Sequence, residues 1–552
     1  MKKCLILLLT LTIIAGFAFA RGSSAPSGPT ATATGPFGRY DQTVRITQTR
    51  ILATWMGFDA GDNEDNNWWT RTYKEQLNIE LVNLFTAPNW GPDYDTKINL
   101  ALATGDMPDV MSLYTTLAVR AIEGNRVIDL TDTYNRTASP QVKEIFAREP
   151  EALKAWTVGG KMYGIANTAD IPGWVYFWVP KSAVTQFNGG VLPTTFAQVE
   201  QLATRIMQSR GTGAYGFGLN GTNLNELGDL GKAFRATDVW ILRNNQLEWG
   251  RIQTEVRDTW TKAAEWYQRG LLARDFASKS QDDVDADFLN NRCAILIGGT
   301  NLPNGSVGRN WILLNPNDDL VCIPIMAADG GNLQMYRNAS YGEAIMVSAT
   351  CQYPDAVMRL YNLGTAISND YGKPDFIRNA HYDWSPGGNM EFWNRMCTGG
   401  GKVDDRIPDH QSGYQAVLEI NNRGDGSRLR NMNAFGALQF FEQMKSWIDL
   451  GTRGENWELN WSIWNINIGT NSRGHSERMD TEGRFLSSPR TGQEVPAEAE
   501  NNQNLYAKYI QYATEAIMNN TATRSFNDWV SYYNANGGTQ IYAQVREQYR
   551  NQ

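Results

Sequence analysis

Hydrophobic positions between residues 92 and 116 change period once, and the change marks a helix, a turn and a strand. Pro92 suits a first helical position, and Tyr94, Ile98, Ala101 and Leu102 recur at the spacing of one face of a 3.6-residue helix. Gly105 ends that helix, and Asp106, Met107 and Pro108 cannot easily continue it. The next residues, VMSLY (Val110–Tyr114), form a short buried strand, with polar Thr115 and Thr116 directly after it. In open α/β sheets ligands sit at the carboxyl ends of strands, so Tyr114, Thr115 and Thr116 are placed like cleft residues.

The same patterning organises the rest of the chain. VRITQ (44–48) alternates like a strand; a polar loop (59–67, DAGDNEDNN), a helix over Trp68–Leu77 and a second strand, IELVNLF, follow. This β-α-β opening predicts a mostly parallel sheet flanked by helices. A second unit starts near Gly173 with the dense strand WVYFWV before Pro180. Thr195-x-x-Gln198 is a capping box for a helix buried through Phe196, Val199, Leu202 and Ile206. Val256, Trp260, Ala263, Ala264, Tyr267 and Leu271 mark another amphipathic helix, and CAILIGGTN (293–301) is a buried strand running into a polar turn. AIMVS (344–348) is a further strand, and Pro354 opens a helix. Near the end, Ser525-x-x-Asp528 caps a helix whose face is Phe526, Trp529, Val530 and Tyr533; Gly537-Gly538 breaks it, and Ile541, Val545 and Tyr549 give the closing helix.

At 552 residues the chain is too long for one core, so two or more domains are expected. Its first 20 residues are not fold. Lys2 and Lys3 precede an apolar run that ends in Ala18-Phe19-Ala20, the pattern of a secretory signal peptide cleaved before Arg21. The expected location is therefore periplasmic or extracellular. A standard lipoprotein is not indicated, because Cys4 precedes the apolar run and the next cysteine is Cys293. An uncharged Gly/Ser/Pro/Thr/Ala stretch (21–39 less its flanking arginines) is a flexible tether, with folded structure from Tyr40. Losing Lys2 and Lys3 takes the formal charge from -8 to -10, which argues against nucleic acid as a partner. Cys293, Cys322, Cys351 and Cys397 remain, as disulfides or as buried thiols.

Candidate chemistry is sparse in the usual catalytic signatures. His381, His410 and His475 have no metal-ligand spacing, and no Gly-x-Ser-x-Gly occurs. Two overlapping Gly-x-Gly-x-x-Gly matches, starting at Gly211 and Gly216, follow a helix rather than a strand and do not predict a dinucleotide site. Asp283, Asp285 and Asp287 imitate a calcium loop, but Phe288 stands where glycine is needed and Ala294 where glutamate is; helix-start carboxylates explain them. The 59–67 loop is the candidate for a structural calcium; no other cofactor and no catalytic residue is expected. The positive signal is aromatic. Of 19 tryptophans many adjoin Asn, Gly or Asp, and sugars stack their C–H faces on indole and phenol rings. Trp55, Trp90, Tyr114, Trp174, Trp240, Tyr341, Trp384 and Trp461 are the candidate stackers, whereas Trp260, Trp447 and Trp529 lie on helical stripes and belong to the core.

Several segments, in order, resemble the extracellular solute-binding proteins of ABC sugar importers, in particular the long oligosaccharide-associated group of family 1. They are KINLALATGDMPDV (97–110), GGKMYGIA (159–166), VLPTTFAQVEQLA (191–203), AAEWYQRGLLARDF (263–276), DADFLNNRCAILIGG (285–299) and GGTQIYAQVREQYR (537–550). The resemblance implies an α/β, type II periplasmic-binding-protein-like fold of two interleaved lobes with crossover hinges. An N-lobe would combine 40–170 with 336–400, and a C-lobe 171–335 with 401–552. It further implies a carbohydrate bound in the interlobe cleft, a membrane permease as partner, a monomer and no catalysis. The turns that line the family's cleft match Tyr114 and Thr115 and, after the second strand, Thr300 and Asn301; where maltose-type relatives place an aromatic there, this chain has Thr-Asn-Leu. A secreted glycoside hydrolase or lyase, whose paired carboxylates leave no spacing in sequence, and a surface lectin are the alternatives. A polyanionic glycan would require arginine or lysine in the cleft, with Arg337, Arg378 and Arg395 as the residues to place.

Overall fold

The computed structural model describes residues 31–51, 61–87, 92–148, 150–166, 173–336, 343–369, 408–431, 435–486, 488–490 and 494–550. Trp55, Trp90, Tyr341, Trp384, Arg337, Arg378, Arg395, Cys397 and the signal segment lie outside them. The strands that matter are β1 (Val44–Ile51), β2 (Ile79–Ala87), β3 (Val110–Tyr114), β4 (Ile165–Ala166), β5 (Val175–Pro180), β6 (Tyr215–Phe217), β7 (Cys293–Gly299), β8 (Leu320–Pro324), β9 (Met335–Tyr336), β10 (Glu343–Val347) and β11 (Phe485–Leu486). The helices used below are α1 (Trp68–Leu77), α2 (Pro92–Thr104), α3 (Thr115–Glu123), α4 (Phe196–Arg210), α5 (Gln281–Leu289), α6 (Pro354–Asn369), α7 (Ser472–Thr481), α8 (Pro496–Asn519) and α9 (Ala522–Tyr533).

Local chemistry sets these elements. Asn67 caps α1 by accepting from the backbone N–H of Trp69 and Thr70, and Asn78, at φ 56°, ends it. Gly105, at φ +77°, stops α2 while its N–H still reaches Ala101 O at 2.8 Å. The turn then delivers Asp109, whose Oδ2 accepts from both the N–H and the hydroxyl of Thr47 at 2.8 and 2.7 Å and so ties β3 to β1. Thr195 and Gln198 form the expected capping box of α4. Ser280 and Asp283 form another at the start of α5, which places the Asp-x-Asp-x-Asp run on a helix. Ser525 differs from expectation. The helix α9 begins three residues earlier, at Ala522, so Ser525 lies inside it and meets Thr521 Oγ1 at 3.0 Å.

The two larger sheets have the orders β2-β1-β3-β10-β4 and β8-β5-β7-β6. They are less parallel than the opening β-α-β predicts: β10 pairs antiparallel with β3 and β4, and β5 antiparallel with β7 and β8. The cause is the route of the chain. β5 and β10 each begin opposite the last residue of a resident strand, Val175 against Gly299 and Glu343 against Tyr114, and so run back along it. One core gathers residues from 31–165 and 344–366; a second gathers 174–335 and 461–545; a smaller cluster of Ala416, Leu429, Phe441, Met444 and Ile463 is separate from both.

The first core also holds part of the stretch expected to be a tether. Arg359, on α6 and only 3% exposed, donates to Ala33 O, Gly35 O and the Tyr40 hydroxyl at 3.0 to 3.1 Å, and Asn362 donates to Pro36 O at 2.9 Å. Carbonyls of this segment satisfy a buried guanidinium.

Candidate functional site

Two strand ends pair with the first residues of β10 and β5. On the first sheet the chain arriving from 337–342 begins β10 at Glu343, which pairs with Tyr114, the last residue of β3. On the second, the chain arriving from 167–172 begins β5 at Val175, which pairs with Gly299, the last residue of β7. Tyr114 and Glu343 therefore lie at one end of the connection, and Thr300, Gly173 and Trp174 at the other.

At the first end the Tyr114 hydroxyl donates to Asp95, in the first turn of α2, and the Ser112 hydroxyl donates to the Glu343 carboxylate. Burial and the Asp95 carboxylate raise the Tyr114 phenol well above its ordinary pKa, so it stays a neutral donor. α3 starts at Thr115 with no loop, and its cap residue Tyr114 supplies no side-chain bond to the first-turn amides. The backbone of Thr115 and Thr116 is thus at a helix start beside the strand end. α3 also touches α8, a helix of the second unit.

At the second end a hydrogen-bond relay fixes the turn. Thr300 Oγ1 lies 3.0 Å from Ser476 Oγ, Ser472 Oγ donates to Thr300 O at 3.0 Å, and the Tyr176 hydroxyl donates to Ser472 O at 2.6 Å. A Cβ at Gly173 would come 3.0 Å from Thr300 Oγ1, so that hydroxyl would have to give by a few tenths of an ångström. Asn301 is exposed, and its carbonyl accepts from Asn304 N at 2.9 Å. His475 stands edge-on to Trp174 and Tyr176, with ring centroids 5.9 and 5.7 Å apart. Asp95, Ser112, Glu343, His475 and Ser476 carry no sequence signal as site residues, because strand pairing and helix packing between distant segments bring them here.

Burial, then the Arg478 guanidinium, pushes the His475 pKa down from 6.5 to about 4. Its Nδ1 lies 2.7 Å from Arg478 Nη2, and its Nε2 is buried with no partner among the described residues. The ring is therefore neutral when folded. An unfolded chain takes up a proton below pH 6.5 that the folded site resists until about 4, so stability present above 6.5 is lost as pH falls between those values. Urea midpoints at pH 7 and pH 5 are expected to differ more for the native chain than for His475→Gln; equal differences would remove His475 from this account.

Three candidate stackers have another role. Trp461 is fully buried and its Nε1 donates to Asp319 at 3.0 Å; Trp240, 3% exposed, donates to Glu498 at 3.2 Å; Trp174, 2% exposed, donates to Ile325 O at 3.0 Å. Their rings are covered by protein, so the stacking expectation gives way to packing, each indole N–H finding a buried acceptor. The 61–67 part of the polar loop is likewise engaged: Asp62 pairs with Arg71 at 2.7 Å, and Asp65 accepts from Asn83 at 2.8 Å. Among the described residues no group of three or more His, Cys, Asp or Glu is placed to hold a metal, and no helix is long and apolar enough to cross a membrane. Cys293, Cys322 and Cys351 are free thiols.

The family model for bacterial extracellular solute-binding proteins matches residues 86–366, just over half of the chain. The chain belongs to that family. No sequence match is found among curated proteins. Solved structures with the same fold include the alginate-binding protein AlgQ2 without calcium ion, at 12% identity and TM-score 0.58, with 92% of this chain and 98% of that one covered. A human-milk-oligosaccharide-binding, ABC-transporter-associated protein from Bifidobacterium longum infantis aligns at 14% identity and TM-score 0.56, covering 92% and 98%. The N-glycan transport solute-binding protein NgtS of Streptococcus pneumoniae aligns at 14% and 0.54, covering 92% and 99%. The fold of this family member is accordingly the two-lobe, type II periplasmic-binding-protein-like α/β fold.

Proposed function

We propose that the chain is the exported ligand-capturing component of an ABC importer, taking an oligosaccharide between its lobes and passing it to a membrane permease without altering it. The lobes are 40–170 with 336–400 and 171–335 with 401–552, and the signal segment is removed after Ala20. The observation that carries this reading is that each strand following a change of unit begins opposite the last residue of a strand in the sheet it joins, Glu343 with Tyr114 and Val175 with Gly299. Any solute held at one strand end is then beside the segments that set the lobe angle. Similar folds in the alginate-, milk-oligosaccharide- and N-glycan-associated proteins support a glycan as the solute. Tyr114, Thr115 and Thr116 serve from one lobe, Thr300 and Asn301 from the other.

Closure completes hydrogen bonds from both lobes only when sugar is present, a population shift that the permease reads. Calorimetry of the mature chain against a glycan panel is expected to give at least one dissociation constant near micromolar, about 8 kcal/mol. Tyr114→Ala is expected to weaken that binding roughly tenfold through loss of the ring and its hydroxyl. Small-angle scattering should show compaction with the same sugar. A panel without a single binder would end the carbohydrate reading, and product formation from a bound glycan would make the chain an enzyme.

A further inference from the structure

The second unit contains a pocket of about 350 Å³ lined by Trp249, Arg251, Tyr506, Tyr509, Trp529 and Tyr533, with Leu505, Asn502 and Gln503 at its wall. The volume is at the small end of the range for ligand sites. None of these residues belongs to the strand-end site, yet the two are linked. The Tyr506 hydroxyl donates to Asn223 O at 2.7 Å, in the segment leaving β6, and β6 runs parallel to β7, so both strands end on one edge of the sheet. Most of the lining comes from α8, the helix that touches α3 of the other unit.

Arg251 is the unusual member. Its guanidinium carbon lies 4.7 Å from the Tyr506 ring centroid, 5.3 Å from that of Tyr509 and 5.9 Å from that of Trp249. Stacking of this kind occupies the faces of the planar cation and leaves its in-plane N–H fork for a planar acceptor. Asp238, about half exposed, forms an ion pair with Nη2 at 3.6 Å without a hydrogen bond, a weak surface pair that an entering carboxylate has to displace. The rest of the lining offers little competing polarity: Asn502 is spent on Glu494 at 2.8 Å. The backbone beneath is tied to α9, where Trp529 Nε1 donates to Arg251 O at 3.0 Å. The partly exposed rings of Trp249, Tyr506 and Tyr509 are left for the C–H groups of a sugar, with Trp529 and Tyr533 buried behind them, and a stacked guanidinium suits a carboxylate held two-pronged at its edge. The chain as a whole has a formal charge of -8, so an acidic ligand gains no general attraction and its recognition has to be local.

We infer that this pocket is a glycosyl subsite that selects a sugar unit bearing a carboxylate, with Arg251 as the group that reads the acid. The inference rests on the glycan-binding reading above and narrows it to acidic oligosaccharides. Calorimetry on the full mature chain tests it with uronate-containing and sialylated oligosaccharides, each paired with its carboxyl-reduced form. For a bound member of the panel, the acid form is expected to bind at least tenfold tighter than the reduced form. Arg251→Gln should erase that difference while keeping affinity for the reduced form. Arg251→Lys, which keeps the charge but not the fork, should restore only part of it. Both variants keep the backbone carbonyl that Trp529 uses, and matching melting curves establish that they fold. Equal binding of acid and reduced forms by the native chain overturns the inference and leaves the glycan reading standing, as does a preference that survives in Arg251→Gln. Failure of every sugar, acidic or reduced, overturns both.

Discussion

Glu498→Ala is expected to destabilise the second core by about 4 kcal/mol, the cost of leaving a buried arginine without its counter-ion. The Arg490 and Glu498 side chains are 8% and 7% exposed and meet through two bonds of 2.7 and 2.6 Å. The same carboxylate accepts from Trp240 Nε1 at 3.2 Å and from Val495 N at 2.9 Å, so one truncation takes the counter-ion from a guanidinium whose Nε stays bonded to Gln548 at 3.1 Å, and the acceptor from an indole N–H and a helix-start amide. The guanidinium also lies over the Trp240 ring, 5.8 Å from its centroid, and Tyr542 packs edge-on against that indole at 4.9 Å. The expected readout is a lower urea midpoint for the transition followed by tryptophan fluorescence, with its slope unchanged. Glu498→Gln, which keeps an acceptor but not the charge, should lose about half as much. Replacing Arg490 by Met together with Glu498 by Leu should recover part of the loss, since the unpaired charge is then gone. An alanine variant within about 1 kcal/mol of the native chain would show that the pair does not hold this end of α8.

That end matters because α8 serves two purposes. Its first turn is locked by Arg490 and Glu498, while Tyr506 and Tyr509 further along carry the Arg251 pocket. The helix also touches α3, whose first residue follows Tyr114. Positioning of the aromatic pocket and of the opposite strand end thus depends on one helix, and a polar lock at its start fixes its direction more specifically than an apolar contact would.

The local elements were largely legible in the sequence, and the reasons are local. The period change at Gly105, the Thr195 capping box and the break at Gly537 depend on residues a few positions apart. The tryptophans were harder because the polarity of their sequence neighbours says little about what covers them in space. Trp461 sits between Asn460 and Ser462, yet all three are buried, and the acceptor for its N–H, Asp319, comes from the far side of β8 in the chain. Ser525 failed as a cap for a related reason: the rule finds a spacing, while the helix start is decided by where α9 packs. The Arg251 pocket left no signal, since Trp249, Arg251 and Tyr506 come from opposite halves of the chain and meet only through packing. Antiparallel entry of β5 and β10 was invisible too, because it follows from crossovers between units rather than from any strand's own pattern.

Asp109→Ala is expected to cost about 2.5 kcal/mol locally, because two charge-assisted bonds to Thr47 disappear and a strand amide loses its acceptor. Asp109 Oδ2 takes the Thr47 N–H at 2.8 Å and its hydroxyl at 2.7 Å, next to the single rung, Gln48 with Val110, that pairs β1 with β3. With so short a ladder, the carboxylate does much of the work of holding β3 in register. Hydrogen exchange at the Thr47 amide should speed up by close to a hundredfold, about 2.5 to 3 kcal/mol of lost protection. Asp109→Asn keeps one acceptor oxygen and should show roughly a third of the effect. The two variants also separate scaffold from recognition. If Asp109 only positions the strand that ends at Tyr114, the folded Asn variant keeps glycan affinity within about threefold, whereas a direct ligand contact would cost tenfold or more. A large affinity loss in Asp109→Asn with Thr47 exchange unchanged would move the recognition surface back into the turn itself, and Tyr114 to Thr116 would no longer be its first-lobe edge.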